Sequence, residues 1–577
     1  MKDYPKIRKE LQAVGEVPPW FTTAGMQLFD QKYAYKGETV RSRFRSIAKA
    51  MARHAPSVYP EIWSQCEYTY GKTYEDAFFQ AMWDGYISCS TPLLANGGLR
   101  KRGTTVSCAG SYMGNNLFDR YNVITEAAVL TKHSHGTSVC IDDWPYEGAP
   151  LKRGGFSAGI LPVIRDLVTA MDEVVQGSRR GSLAYSLRPQ HRDFEAVLMN
   201  LYNNPESNNV GWLIDDEFSQ GVLHGDPIAC SKLGKILQRK MPRGKGYLTF
   251  IDKMNRSRAE AFKRMEITTK ASNLCQETNL IANEKYTFSC VILNYNLEMY
   301  RSWPKSLMWI GQIMSDCNIS EYLETIDEMT TQDQEAMKKI RLFTEHFRAL
   351  GSGVLGFHTL LQQERIVVGS LDSLWLNDEI FKKLDDDSKE VTKWLGSTLG
   401  VPEGCKGLGV RNATRLMMPP TKSSAEIMAG ASEGIGLDMA MAFTKQSAGG
   451  EFFRINKVLL QLMKDKGVYN EEEIRKIAES KGTVQSAQWL TEHEKAVFRT
   501  AFEIPMEAHL ELCSQRQQYI DQAQSINLYF TGNDSEEYIS KIHRMAFEDE
   551  NILSLYYIYS MRNSGEITRS TECESCM

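Results

Sequence analysis

The sequence predicts an α/β protein with a helical N-terminal region, a large α/β body and a short flexible C-terminal arm. Three observations predict it. Before residue 86, apolar residues recur at helical spacing in GETVRSRFRSIAKAMARHA and YEDAFFQAMWDGYI. After Ser88, short apolar runs bounded by glycine turns alternate with longer helical patterns, as in buried parallel strands joined by crossover helices. The closing segment NSGEITRSTECESCM has one isoleucine and no aromatic residue, too little apolar surface to offset its ordering entropy.

In chain order, residues 1–85 read as helical. The body, 86–530, contains the strand-like runs STPLLANGG, TTVSCAGS, GTSVCIDD, GYLTFIDK, TFSCVILNYNLE, GVLGFHTL and RNATRLMMPP. Long helical patterns such as ILPVIRDLVTAMDEVV and AEIMAGASEGI lie between them, and a barrel or a large open sheet follows. From about Glu451 the pattern is mostly helical again, up to two apolar runs, QSINLYF and NILSLYYIYSMR. Residues 531–562 read as a helix and a tyrosine-bearing strand, and 563–577 as a mobile arm. There is no internal repeat.

Composition narrows the function classes. The chain has 577 residues, 42% apolar and 24% charged, within ordinary globular ranges. Lys and Arg number 67 against 72 Asp and Glu, a formal charge of -5, with no dense basic run. Nucleic acid and membrane surfaces are therefore not expected partners. The start, MKDYPKIRKELQ, is charged rather than apolar, and nowhere do 18 uncharged apolar residues run together, so the expected compartment is the cytoplasm. Twelve cysteines are too sparse for a disulfide scaffold in a chain this long. Most should be buried thiols.

Cys573 and Cys576 depart from that expectation, because a thiol pair on an exposed arm can close and reopen a disulfide and reach another redox protein. The competing readings are half of a zinc site and incidental terminal cysteines. Zinc needs about four ligands, and neither a second CxxC nor a His-rich segment is present, so no metal is expected. A thiol shuttle needs a client disulfide, for which Cys108 and Cys290, both in strand-like runs, are candidates. Between them stands SNLCQE, in which Asn273, Cys275 and Glu277 share one side if the segment is extended. Farther on, Pro420-Thr421-Lys422-Ser423-Ser424 opens a helical run. Backbone N–H groups there suit a diphosphate, although an N-cap by Ser423 or Ser424 accounts for the same pattern.

Taken together and in this order, TPLLANGG, SNLCQE, SCVILNYNLE, PPTKSSAEI, LYY and the terminal CESC resemble the large, catalytic subunit of class I ribonucleotide reductases. The likeness runs from about Pro18 to the last residue. It implies a ten-stranded α/β barrel of two five-stranded halves with a catalytic finger loop, and reduction of ribonucleoside diphosphates by thiyl-radical chemistry. By that resemblance Cys275 carries the radical, Glu277 accepts the 3′-hydroxyl proton and Asn273 binds the sugar hydroxyl. Cys108 and Cys290 supply two electrons, and Cys573 and Cys576 re-reduce the resulting disulfide. Tyr556 and Tyr557, which alone could be an aromatic-rich strand, match the pair that relays an electron and a proton to Cys275.

The resemblance further implies substrate contacts at Thr91, Ser107, Gly136 and residues 420–424, where Lys422 replaces a small hydroxyl residue. It places a deoxynucleoside triphosphate or ATP effector, with Mg, at a homodimer interface near Asn115, Asn116 and Arg153. Asn115 stands where an acidic residue is common, and the loop from Asn204 to Gly211 lacks the arginine of the usual version. No cofactor is expected to be tightly bound in this chain. By the same resemblance the radical is expected from a small partner subunit with a dimetal centre, and thioredoxin or glutaredoxin is the expected reductant. With only about 17 residues before the first matching helix, an N-terminal ATP cone, and hence shutdown by dATP, is not expected. Two alternatives remain: the cobalamin-dependent class, which needs no tyrosine relay, and a non-catalytic nucleotide-binding barrel, in which loss of a site residue would be expected.

Overall fold

Thr39 caps the helix Val40–Ala52: its side chain accepts from the Ser42 backbone, and the Ser42 hydroxyl accepts from the Thr39 backbone. Val40, Phe44, Ile47, Ala48 and Met51, at helical spacing, form its buried face. They pack on the helix Tyr74–Trp83, and both lean on the helix Leu307–Asp327 of the body. A computed structural model describes residues 2–65, 73–100, 102–176, 179–204, 209–447, 450–561 and 567–568. Among these no helix is long and apolar enough to cross a membrane.

The body is organised by β1 (Ile87–Cys89), β2 (Cys108–Tyr112), β3 (Gly136–Cys140), β4 (Leu183–Leu187), β5 (Val210–Ile214), β6 (Tyr247–Phe250), β7 (Phe288–Cys290), β8 (Ile292–Asn296) and β9 (Gly351–Leu355). β2, β3, β4, β5 and β6 lie side by side and parallel, one half of an α/β barrel. Their residues are almost wholly buried, which is why they read as continuous apolar runs rather than alternating ones. In the other half β8 pairs antiparallel with β1 and parallel with β9, and parallel bridges at Leu416 and Met418 continue it. β7 and β8 are separated only by Val291. One stretch of chain therefore joins the halves, with β7 antiparallel on β2.

That seam depends on a glycine. Gly110 of β2 faces Phe288 of β7, and a Cβ at Gly110 would lie 2.0 Å from the Phe288 ring. Only the absence of a side chain lets β7 approach closely enough to bring Cys290 opposite Cys108.

At the C-terminal end, β10 (Leu528–Thr531) is parallel to β12 (Ile558–Met561), while β11 (Ser554–Leu555) joins the barrel sheet beside β6. β13 (Ile567–Thr568) pairs antiparallel with β12, within the stretch read from sequence as a flexible arm. Cys573 and Cys576 lie outside the described residues.

Several local expectations are corrected. STPLLANGG is not a strand but the helix Thr91–Asn96, opened by Pro92 in its first turn, where its missing N–H costs nothing. AEIMAGASEGI is helical only to Ile427, where Ala429 and Gly430 turn to positive φ. RNATRLMMPP forms isolated bridges rather than a strand. A hairpin of Ala442–Ser447 and Gly450–Ile455, not expected from the sequence, crosses the boundary with the late helices.

Candidate active site

Residues 265–287 carry no regular secondary structure, yet 271–282 are buried throughout. Backbone polar groups buried without a ladder need other partners. Here side chains supply them. The Asn273 N–H donates to Thr278 Oγ1 at 3.0 Å, the Thr278 N–H to Asn273 Oδ1 at 3.3 Å, and Ser272 Oγ to the Thr278 carbonyl at 2.7 Å. From outside the loop, Ser525 Oγ donates to the Cys275 carbonyl at 2.6 Å and Ser554 Oγ to that of Gln276 at 2.8 Å. The Ala523 N–H donates to the Glu277 carbonyl at 2.9 Å.

The loop is therefore a tight turn, with Gln276 at φ 69, and not the extended segment assumed for SNLCQE. The turn nevertheless brings the three groups together. Asn273 Nδ2 donates to Glu277 Oε1 at 2.8 Å, and Cys275 and Glu277 both line one cavity. Burial pushes the Glu277 carboxyl up from 4.5 to about 7, although hydrogen bonds from Asn273, Ser525 and Cys290 pull it partly back. A carboxyl poised near neutrality can take up and return a proton.

Cys108 and Cys290 are register partners across β2 and β7, both buried and both free thiols. Cys290 Sγ lies 3.9 Å from Glu277 Oε1. Burial, then the neighbouring Cys108 and Glu277, holds the Cys290 thiol far above its ordinary pKa, so it remains a neutral hydrogen donor.

The cavity is lined by Ser90, Thr91, Ser107, Cys108, Cys275, Glu277, Ile292, Asn294, Pro419, Pro420, Thr421 and Ser424. Gly136 is not among the lining residues but adjoins two of them, pairing with Cys108 in the sheet, its N–H donating to the Ser107 carbonyl at 2.8 Å. The helix Lys422–Ile427 starts at the rim, with Thr421 in the N-cap position; its hydroxyl makes no bond to the helix and instead accepts from the Gly434 N–H at 2.7 Å. Ser423 and Ser424 are thus in the first turn and neither is the cap; Ser424 Oγ donates to the Cys89 carbonyl at 3.3 Å. Lys422 is half-buried.

Three polar residues of the site are not marked by the sequence. Among the described residues Ser90 Oγ and Asn294 Oδ1 are buried, face no hydrogen-bond partner and line the cavity. Buried polar atoms of this kind are suited to a ligand's hydroxyls. Asn294 had a readable signal, since positions 290, 292 and 294 alternate along one strand run. Ser90 had only its place beside Thr91. Ser525, whose hydroxyl also reaches Glu277 Oε2 at 3.2 Å, lies in a run read as merely apolar.

Tyr556 and Tyr557 connect β11 to β12, both buried, their ring centroids 4.0 Å apart. Tyr247 packs on both rings, at 4.8 and 5.5 Å. Lys240 Nζ, itself buried, donates to the Tyr556 carbonyl at 2.7 Å, and burial pushes that ammonium down to about 7. Lys253 Nζ donates to the carbonyls of Ala546, Phe547 and Asp549 at the end of the helix Glu536–Glu548. Lys240 thus holds the tyrosine segment, and Lys253 the end of the helix before it, through backbone oxygens.

The expected effector residues lie elsewhere, on exposed segments. Asn116 caps the helix Leu117–Lys132 by accepting from the Asp119 N–H at 3.0 Å, Asn115 precedes it, and Arg153 lies in the turn between strands Glu147–Pro150 and Phe156–Ala158. Residues 205–208 of the loop after Asn204 lie outside the described residues.

The chain is similar to known proteins. Residues 19–102 match the family described as "Ribonucleotide reductase, all-alpha domain", and 228–404 and 398–558 match "Ribonucleotide reductase, barrel domain". A ribonucleoside-diphosphate reductase large-subunit homologue of Frog virus 3 (isolate Goorha) is 27% identical, with 85% of this chain and 90% of the viral protein covered. The vitamin B12-dependent ribonucleoside-diphosphate reductase of Thermoplasma acidophilum is 24% identical over 79% of this chain and 61% of its own length. Among solved structures, the Actinobacillus ureae class Id ribonucleotide reductase alpha subunit superposes with a TM-score of 0.84 at 29% identity, covering 94% of this chain and 98% of that one. With both domains matched and the barrel, finger loop and facing thiols in place, the chain belongs to the ribonucleotide reductase large-subunit family.

Proposed function

We propose that the chain is the catalytic subunit of a class I ribonucleoside-diphosphate reductase, making deoxyribonucleoside diphosphates for DNA synthesis. The observation that carries this reading is the cavity into which Cys275, Glu277 and Cys108 all open, with Cys290 beside Cys108. In the proposed reaction a thiyl radical at Cys275 takes the hydrogen from C3′ while Glu277 accepts the 3′-hydroxyl proton. Water leaves from C2′, and Cys108 and Cys290 deliver two electrons and two protons and close as a disulfide. Cys275 then returns the hydrogen to C3′. Asn273 orients Glu277 and the sugar hydroxyl. Thr91, Ser107 and Gly136 contact the nucleotide, and residues 420–424 hold the diphosphate.

The radical arises in a small partner subunit bearing a dimetal centre and reaches Cys275 through Tyr556 and Tyr557. The close contact of that pair, ring centroids 4.0 Å apart, supports a class I reading over the cobalamin-dependent one. Cys573 and Cys576 pass electrons from thioredoxin or glutaredoxin. A homodimer binding dNTP or ATP with Mg near Asn115, Asn116 and Arg153 is supported by exposed Leu117, Phe118 and Tyr121 on the adjoining helix. The cytoplasm is the proposed compartment. The test is turnover of each ribonucleoside diphosphate with candidate small subunits, with and without cobalamin. Activity that needs a radical-bearing subunit and ignores cobalamin supports the proposal; cobalamin-dependent activity without any partner overturns it.

A further inference from the structure

The aromatic series does not end at the tyrosine pair. Tyr557 and Tyr559 flank Ile558 in extended backbone, so their side chains leave the same side, and their ring centroids are 6.0 Å apart. Beside β12, β10 places Tyr529 in register with Tyr559, and these rings stack at 5.5 Å with an interplanar angle of 12°. Four phenols thus form a continuous row, Tyr556, Tyr557, Tyr559 and Tyr529, with successive separations of 4.0, 6.0 and 5.5 Å.

The row has a direction. Its inner end is tied to the finger loop, because Ser554 Oγ donates to the Gln276 carbonyl. All four rings are buried, and past Tyr559 the strand continues to Ser560 and Met561, which are half-buried. Along the chain Tyr559 therefore lies between the pair and the less buried end of the strand. The Tyr529 phenol is also fixed in orientation, its oxygen held by the Asn527 side chain and the Leu437 backbone.

We propose that Tyr559 and Tyr529 are redox-active and extend the relay outward, so that the oxidising equivalent reaches Tyr557 through Tyr559. This rests on the reading of Tyr556 and Tyr557 as relay residues. The partner's radical takes one electron and one proton from Tyr559, leaving a phenoxyl radical there. That radical takes one electron and one proton from Tyr557 and becomes a phenol again. The exchange repeats between Tyr557 and Tyr556, and Tyr556 finally takes the hydrogen of Cys275 in its reduced form, the sulfur being disulfide-bonded in this structure. Tyr529, stacked on Tyr559, exchanges an electron and a proton with it in the same way and shares the radical at the entrance.

The test uses the full chain with its radical-bearing partner, substrate and effector. Tyr559→Phe keeps the ring and removes the phenol, and should lower turnover at least about tenfold, with melting temperature and nucleoside diphosphate affinity unchanged. Tyr529→Phe should lower it less. The chain carrying 3-aminotyrosine at position 559, which keeps ring and hydroxyl and is more easily oxidised, should trap an aminophenoxyl radical seen by electron paramagnetic resonance. Tyr557→Phe is the control. If Tyr557→Phe is inactive while Tyr559→Phe turns over like the parent, the outer pair is packing and the extension is wrong. If Tyr559→Phe is slow but no radical is trapped at 559, its effect is structural and the proposal fails. If all three phenylalanine variants are fully active, the relay reading fails and the extension with it.

Discussion

Residues 271–282 and the helix Val40–Ala52 are both buried, and they are held by different means. The helix satisfies its own backbone and presents an apolar stripe of Val40, Phe44, Ile47, Ala48 and Met51, so its stability is a matter of contact area. The finger loop satisfies its backbone through Ser272, Asn273 and Thr278, and through Ser525 and Ser554 from other parts of the chain. Such a network positions atoms more narrowly than apolar packing does, because each hydrogen bond has a direction. Function and stability therefore separate: substitutions in the loop should remove turnover with little loss of fold, and substitutions in the helix should do the reverse.

The largest effect on turnover is expected at Cys275. Cys275→Ser exchanges one atom and should abolish reduction while leaving the thermal melt and nucleotide binding close to those of the parent. Residual turnover near the parental rate would remove the radical role.

Glu277→Gln keeps the shape of the loop and removes the base. A loss of about 100-fold or more is expected, the usual scale of a positioned general base. In the parent, kcat/KM should rise with pH through about 7 as Glu277 loses its proton. The same group makes a stability prediction of opposite sign. Its folded pKa, about 7, lies above the ordinary 4.5, so its contribution is complete below pH 4.5 and is lost as pH rises through 7. Over that window the parent should lose up to roughly 3 kcal/mol relative to Glu277→Gln, measured by denaturant unfolding at several pH values. Parallel pH profiles for the two chains would contradict the buried, neutral-leaning carboxyl.

Ser525→Ala tests whether the loop's external tethers matter, since its hydroxyl serves both the Cys275 carbonyl and Glu277. A drop of about tenfold in kcat with KM little changed is expected, with a stability loss of about 1–2 kcal/mol. A change confined to stability would make the tether a packing feature.

The smallest effect on turnover is expected from Ile47→Ala. This fully buried side chain should cost about 2–5 kcal/mol on truncation, read as a lower denaturation midpoint, with activity per folded molecule unchanged. A large fall in specific activity would mean that the helical region shapes the site directly, and the contrast between the two regions would weaken.

Legibility followed the same division. Cys108, Cys275, Glu277 and Cys290 were readable because their chemistry is unusual in ordered runs, and the helices before residue 86 because their apolar stripe repeats. Residue types also mark the turn chemistry of SNLCQE, but not its geometry: alternation suggested an extended segment, while hydrogen bonds between Asn273 and Thr278 closed a turn. STPLLANGG read as a strand because short apolar runs are ambiguous between strand and helix, and Pro92 at the start of Thr91–Asn96 settled it.

The sequence by itself determined the α/β class, the helical N-terminal region and the set of reactive groups, because periodicity and side-chain chemistry are local properties. Only the tertiary structure decided which groups meet. Ser525 reaches Glu277 across 248 positions of chain. Ser90 and Asn294 come to one cavity from strands and turns of different origin. Tyr529 stacks on Tyr559 because two short strands happen to run parallel in that register. Such meetings depend on how sheets pair and how closely glycine lets them approach, as at Gly110, and no short stretch of sequence carries that information.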